Sequence, residues 1–413
     1  MRMRRSILCI LCLSLLVPLA LRARGMLPPE PRPLIEAKYG GWSGVLRLWA
    51  FEGWQVGAGS ASGWLNRCIA SFEKAHPGVY VQPEYVDASA ISDPGGASAY
   101  PPDLLLFPPG LIDDPEALTP LTIDAPLRDG FAGCGRIGET LRAVPVLAGG
   151  YLWAYDAGRL DGIPGSWRKA GATISAPPDE PWRQWSAALL ALCSARHAPG
   201  SPAAADDDAG TLDLGLAPVD ATPTPAPSPE PEELLDCALP PDFSFDAGAW
   251  HDFVNGELAA IPVTQREVRR LEALSAQGRG VDWRLAASGD GAFTDQLLCA
   301  AIPAALANAA PDADRQALCE AFIAHLLSDD CQGTLASVGA FSVTDAGSGY
   351  PAGDSLLALE QALRAPGLAA PGCLDGGWRA DAQAIVRKFT DDSASPAAMW
   401  ALLRERIRQE SEQ

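Results

Sequence analysis

The chain has 413 residues, 48% of them hydrophobic and 7% aromatic, with a net charge of -20 and a pI near 4.6. That length accommodates two or three domain-sized cores. A balance of 31 Lys and Arg against 51 Asp and Glu argues against nucleic acid as a partner, because phosphates would be repelled rather than neutralised; it suits a soluble protein working outside the cell or on its surface.

The chain opens with a basic stretch, MRMRR, followed by a 16-residue uncharged run, Ser6–Leu21, and then Arg-Ala-Arg-Gly. A basic flank with a run too short for an ordinary membrane span is the pattern of a secretory signal. Residues 1–24 are read as a signal peptide or an N-terminal anchor. Small residues are lacking where a cleavage site would need them, and no lipobox-like cysteine follows, so cleavage and retention both stay open. Residues 25–41 are Pro-rich and read as an exposed tether.

Val45–Phe51 is short and nearly continuous in apolar character, as a buried parallel strand is. After a Gly/Ser/Ala-rich loop, Trp64, Leu65, Cys68, Ile69 and Phe72 form one helical stripe. Pro77 cannot extend that helix and Gly78 takes the turn. Val79, Val81 and Tyr85 then alternate with period two, completing a βαβ unit with parallel strands. Pro102–Phe107 reads as another apolar strand. Leu141–Asp156 reads as a crossing strand, a Gly149-Gly150 break and a second strand in which Tyr151, Trp153 and Tyr155 alternate.

Further along, helices are predicted over Trp182–His197, within Ala247–Ala259 ending near Gly256, and over Thr264–Gly278, with a strand at Ala259–Val263 between the last two. Phe293–Ile302 reads as a strand or short helix. Residues 314–341 read as two helices broken near Ser328–Asp330, and the tail 350–413 as mostly helical. Pro199–Glu233 stands apart: it has eight prolines, many acids and almost no large apolar side chain. Its composition predicts a disordered insertion.

Recognisable catalytic patterns are missing. There is no G-x-S-x-G, no G-x-x-x-x-G-K-[ST], no H-E-x-x-H, and no C-x-x-C pair beyond the apolar N-terminal run. Neither a cofactor nor a metal is expected. Of the ten cysteines, Cys68, Cys193, Cys299 and Cys319 fall in apolar helical patterns and read as small buried hydrophobes; whether any cysteines pair is left open. Aromatic residues, by contrast, gather at strand ends: Phe51 and Trp54 after the first strand, Phe107 ending its strand, Tyr151 and Trp153 after the glycine break. In open α/β sheets ligands bind at the carboxyl ends of strands. Flat apolar rings with a few polar groups suit a sugar or another small polar ligand.

The segments WLNRCIASFEKAHPGVYVQPEYV, YPPDLLLFPPG, AVPVLAGGYLWAYD, FVNGELAAIPVTQREV and AFIAHLLSDDCQGTLASVGAFSVTDAG, in that order, resemble the extracellular solute-binding proteins of ABC importers, in their carbohydrate-type, maltose-binding-protein-like branch. The resemblance covers roughly residues 42–198 and 245–365. It implies an α/β fold of two lobes joined by a hinge and closing over an interlobe cleft. Lobe 1 would comprise 42–145 and 292–345. Lobe 2 would comprise 146–291 and 346–413, with 199–233 as the acidic insertion. The implied ligand contacts are Phe107, Glu52, Trp54 and Gln55 from lobe 1, Tyr151, Trp153, Thr264 and Gln265 from lobe 2, and Phe341 in the return segment. The implied function is capture of a small polar solute, a carbohydrate by preference, for ABC permease subunits in the membrane, by a monomer without enzymatic activity. A membrane-tethered sensor or scaffold of the same fold that has lost transport is the alternative, favoured by the missing lipoprotein cysteine and the shortened lobe 2. A secreted glycan hydrolase would need two facing carboxylates, and only Glu52 has a reason to be in the cleft.

Overall fold

The computed structural model describes residues 42–94, 101–160, 175–177, 244–286, 294–304, 312–363 and 384. The predicted signal or anchor, the tether, the Trp182–His197 helix, the acidic insertion and most of the helical tail lie outside these residues.

Strand β1 (Gly44–Phe51) is followed by helix α1 (Ala61–Ala75) and strand β2 (Val79–Val86). The helix buries Trp64, Leu65, Cys68, Ile69 and Phe72, the stripe read from the sequence. Fully burying a large apolar side chain contributes about 1.5–3 kcal/mol, so this stripe rather than helix propensity holds α1 in place. Ser60 caps its first turn, its hydroxyl accepting from the Ser62 N–H at 3.0 Å. At the other end the His76 N–H bonds to the Phe72 and Glu73 carbonyls, and Gly78 turns the chain at φ +92°. β2 then returns parallel to β1, Gly44 opposite Val79 through Phe51 opposite Val86. Tyr85 has the parity of Val79 and Val81 but is exposed, near the end of what is an edge strand.

The chain continues through α2 (Ala88–Ser92), β3 (Leu104–Phe107), α3 (Asp129–Ala132), the small hairpin β4 (Arg136–Ile137) and β5 (Thr140–Leu141), β6 (Ala143–Ala148) and β7 (Tyr151–Asp156). Beyond these come β8 (Ser175–Ala176), β9 (Ser244–Phe245), α4 (Ala249–Val254), β10 (Ala260–Thr264), α5 (Gln265–Ala276), β11 (Trp283–Ala286) and β12 (Leu297–Ala301). Helices α6 (Ala313–Leu326), α7 (Asp329–Gln332) and α8 (Leu357–Ala362) follow, and short 3-10 turns lie at Pro115–Ala117 and Leu335–Val338.

Two main sheets result. The larger has the order β2-β1-β3-β12-β6. β1 runs parallel to β2 and β3, whereas β12 runs antiparallel to both β3 and β6. The smaller, β10-β7-β11, is antiparallel. Nonconsecutive strands meet because β12, late in the chain, inserts between β3 and β6.

The helix predicted to end near Gly256 is α4, which stops at Val254; Gly256 adopts φ +79° and turns the chain toward β10. Two local readings differ from the sequence pattern. Cys299 is on strand β12, not on a helix. β7 alternates in sequence yet buries all six residues, since it is the central strand of its sheet. The break between α6 and α7 falls at Leu327–Ser328, beside the predicted Ser328–Asp330, but the second predicted helix is only the four-residue α7 followed by a separate 3-10 turn at Leu335–Val338.

Candidate binding cleft at the crossing between the sheets

The chain passes from the larger sheet to the smaller one at Gly149-Gly150, between β6 and β7. It returns to the larger sheet at Thr294–Gln296, just before β12. The two crossings are bonded to each other. The Gly149 N–H donates to the Gln296 carbonyl at 2.6 Å, and the Thr294 hydroxyl donates to the Gly149 carbonyl at 2.9 Å. A third segment joins them: Ala148 and Phe341 exchange backbone hydrogen bonds at 2.8 and 2.9 Å. Phe341 is in turn held by Gln332. The side-chain carbonyl of Gln332 accepts from the Ser342 hydroxyl and the Val343 N–H, and its amide donates to the Val146 and Leu326 carbonyls.

Glycine at the crossing leaves room for side chains that pack against it. A Cβ on Gly149 would lie 2.2 Å from Gln265 Nε2, and one on Gly150 would lie 3.1 Å from Leu359 Cδ1. Gln265 fills that space. Its Oε1 accepts from the Gly150 N–H at 3.1 Å and its Nε2 donates to the Gln55 carbonyl at 3.3 Å. It stands there because it is the first residue of α5. Thr264 caps that helix in a capping box with Glu267, whose Oε2 accepts from the Thr264 N–H at 3.1 Å.

Tyr151 starts β7, and its hydroxyl donates to the Asp295 carboxylate while accepting from Gln296 Nε2 at 2.9 Å. The Trp54 indole N–H donates to the Leu297 carbonyl at 3.0 Å. The Gln55 side-chain oxygen is shielded from solvent and accepts no hydrogen bond from any described residue.

Trp54, Gln55, Tyr151, Thr264, Gln265 and Phe341 thus converge on the Gly149-Gly150 crossing. Phe107 ends β3 opposite Cys299 and is wholly buried. Trp153, two residues beyond Tyr151 on the same face of β7, is also buried. Glu52 follows β1 and is exposed, its N–H bonded to the Val86 carbonyl. Among all these residues Glu52 is exposed, Gln55 is half-buried and the rest are 9% exposed or less.

The sequence did not single out Thr294, Asp295 and Gln296, which are buried polar residues at the return crossing. The available signal was Thr-Asp-Gln set directly before the apolar run Leu297–Ala301: polar side chains at the mouth of a buried strand need partners. Nearby, burial pushes the Tyr350 hydroxyl well above the usual tyrosine range; it donates to the Ala340 carbonyl at 3.1 Å. Among the described residues no group of three or more His, Cys, Asp or Glu is placed to hold a metal ion, and no helix is long and apolar enough to cross a membrane.

Solved structures resemble this one over most of their length. The sugar-binding protein MalE from the phytopathogen Xanthomonas citri superposes with a TM-score of 0.56 at 15% identity, covering 89% of this chain and 97% of that one. The cyclic alpha-maltosyl-1,6-maltose binding protein from Arthrobacter globiformis gives 0.55 at 12% identity, covering 90% and 100%. The maltodextrin binding protein MalE1 from L. casei BL23 gives 0.55 at 14% identity, covering 90% and 100%. No family model matches the chain, and no curated protein matches it in sequence. At such identities the likeness establishes the fold: two α/β lobes of the periplasmic-binding-protein type.

Proposed function

We propose that this protein captures a small polar solute, a carbohydrate by preference, between its two lobes and presents it to the permease subunits of an ABC importer. The observation that carries the reading is the arrangement at Gly149-Gly150. Two sheets are joined there by bonded chain crossings, with aromatic rings and amides gathered around the joint, in a fold shared with proteins described as sugar-binding. The protein acts as a monomer, by binding rather than catalysis, on the outer side of the membrane. Lobe 1 spans 42–145 and 292–345, and lobe 2 spans 146–291 and 346–413.

Glu52, Trp54 and Gln55 meet the ligand first, because the loop that carries them holds the two most exposed side chains of the group. The Gln55 amide oxygen, shielded from solvent and accepting from no described residue, becomes available to a ligand as the lobes part. Phe107, Tyr151, Trp153, Thr264, Gln265 and Phe341 contribute as the lobes part, the rings by stacking and the polar groups by exchanging internal bonds for ligand bonds.

Thermal unfolding of the mature chain against a panel of mono- and oligosaccharides, polyamines and short peptides tests this. A ligand at 100 times its Kd stabilises a native state by about 2.7 kcal/mol, and one chemical class should raise Tm by several degrees. Gln55→Ala should weaken that response. A flat response across the whole panel would sink the reading in favour of a tethered scaffold that binds no solute.

A further inference from the structure

Outside the crossing, a compact cluster of sulfur and imidazole joins α1 to the α6–α7 corner. Cys68 on α1 and Cys331 on α7 are 3% and 4% exposed, and both stand against one imidazole, that of His325. Both main chains are pinned around that contact. The Trp64 indole N–H donates to the Cys331 carbonyl at 3.0 Å. His325 Nε2, from α6, lies 3.1 Å from the Cys68 carbonyl, 3.6 Å from Cys331 Sγ and 2.7 Å from the Ser71 hydroxyl.

We propose that Cys68 and Cys331 are a disulfide pair, and that oxidation closes them into a covalent staple between α1 and α7. One imidazole nitrogen touches the main chain of Cys68 and the sulfur of Cys331, which sets the two cysteines side by side as a disulfide requires. The hydrogen bonds at Trp64 and His325 hold the two backbones in place while this happens. The Cys331 thiol is held well below its ordinary pKa by the hydrogen bond from Cys68, and the neighbouring His325 adds to the effect. That favours the thiolate that starts exchange.

The oxidant is a small external disulfide of the glutathione class, RSSR. The Cys331 thiolate attacks one of its sulfurs and expels RS⁻, leaving a mixed disulfide on Cys331. The Cys68 sulfur then attacks the Cys331 sulfur, its proton passes to the departing thiolate, and the second RSH is released. Two thiols are oxidised, one RSSR is reduced to two RSH, and one S–S bond replaces another. Because both sulfurs are buried, the exchange takes place late in folding, once Trp64 and His325 have aligned the two chains and before the site closes to solvent. The inference is independent of the solute reading above.

The test is to refold the full chain from urea in a glutathione redox buffer and, separately, in dithiothreitol, then to alkylate and digest without reduction. A cross-linked peptide containing Cys68 and Cys331, two hydrogens lighter than its parts and absent from the dithiothreitol sample, is the expected result. The staple closes a long loop, so the oxidised protein should also melt roughly 5–15 °C above the reduced one. Cys68→Ser should abolish that difference. Recovery of Cys68 and Cys331 both alkylated after refolding in glutathione to native circular dichroism would overturn the proposal. So would either cysteine linked to a different partner.

Discussion

Gln265 donates from its side-chain amide to the main-chain carbonyl of Gln55 across 3.3 Å, linking two residues 210 positions apart. The same side chain accepts from Gly150, and it is wholly buried. One residue therefore serves the start of α5, the crossing between the sheets and the loop after β1. Gln265→Ala should leave the Gly150 N–H and the Gln55 carbonyl buried with a donor and an acceptor lost. A buried polar group left unpaired costs about 1–3 kcal/mol. Urea unfolding should show a loss of about that size, with the slope little changed.

Gly57 makes a second close approach. Its N–H donates to the Gly339 carbonyl at 3.2 Å, and an added Cβ would lie 2.9 Å from that oxygen and 3.0 Å from the Gln265 carbonyl. Both obstacles are backbone, so neither can rotate away. Gly57→Ala should cost about 1–3 kcal/mol. Gly133→Ala is the matched control: Gly133 has helical dihedrals and open space around the added carbon, and its stability should stay within about 0.5 kcal/mol. Calorimetric melting of the two variants side by side separates crowding from the loss of glycine itself.

Arg269 ties α5 to the segment preceding α8. It bonds the Glu272 carboxylate at 2.8 and 3.0 Å and the Asp354 carboxylate at 2.8 and 2.9 Å. A lysine keeps the charge but cannot engage both carboxylates with paired donors. The site is partly solvated, which limits the cost of Arg269→Lys to about 0.5–1.5 kcal/mol. Arg269→Ala should cost more, and its deficit should shrink less in high salt than that of an exposed ion pair. Denaturation at low and high ionic strength reads both effects.

The scaffold was legible in the sequence wherever a short segment carries its own period. Trp64–Phe72 declares a helix by its stripe, and Pro77-Gly78 declares its end. Val45–Phe51 declares a buried strand by having almost no polar interruption. What the period could not disclose is which strand becomes central. Phe107 ends β3 and Tyr151 starts β7, with Trp153 inside that strand, but β3 and β7 are flanked on both sides and bury these rings. The polar joint was hidden for a related reason. Tyr151 meets Asp295 and Gln296 only because β12 inserts beside β6, a pairing between segments some 145 residues apart. Gln265 was implied as a ligand contact by the resemblance alone, and its two distant bonds depend on where α5 docks.

His325 carries a prediction that links titration to the thiol pair. Its hydrogen bond with the Cys331 sulfur raises its pKa above the ordinary value of 6.5, against the opposing influence of burial; the Cys331 charge, the Cys68 carbonyl and Asp330 act in the same direction as the hydrogen bond. A histidine whose pKa is higher folded than unfolded contributes stability that is complete below about pH 6.5. That contribution is lost as pH rises through the raised value. The four histidines of the chain make the ring resonances assignable by substitution. In the reduced protein the His325 resonance should titrate above 6.5. Cys331→Ser removes the sulfur while burial remains, so the midpoint should fall to the ordinary range or below it. Oxidation to the Cys68–Cys331 disulfide should do the same, because a disulfide sulfur carries no charge for the imidazolium to face. If His325 titrates identically in the reduced, oxidised and Cys331→Ser proteins, the sulfur is not what sets its proton affinity.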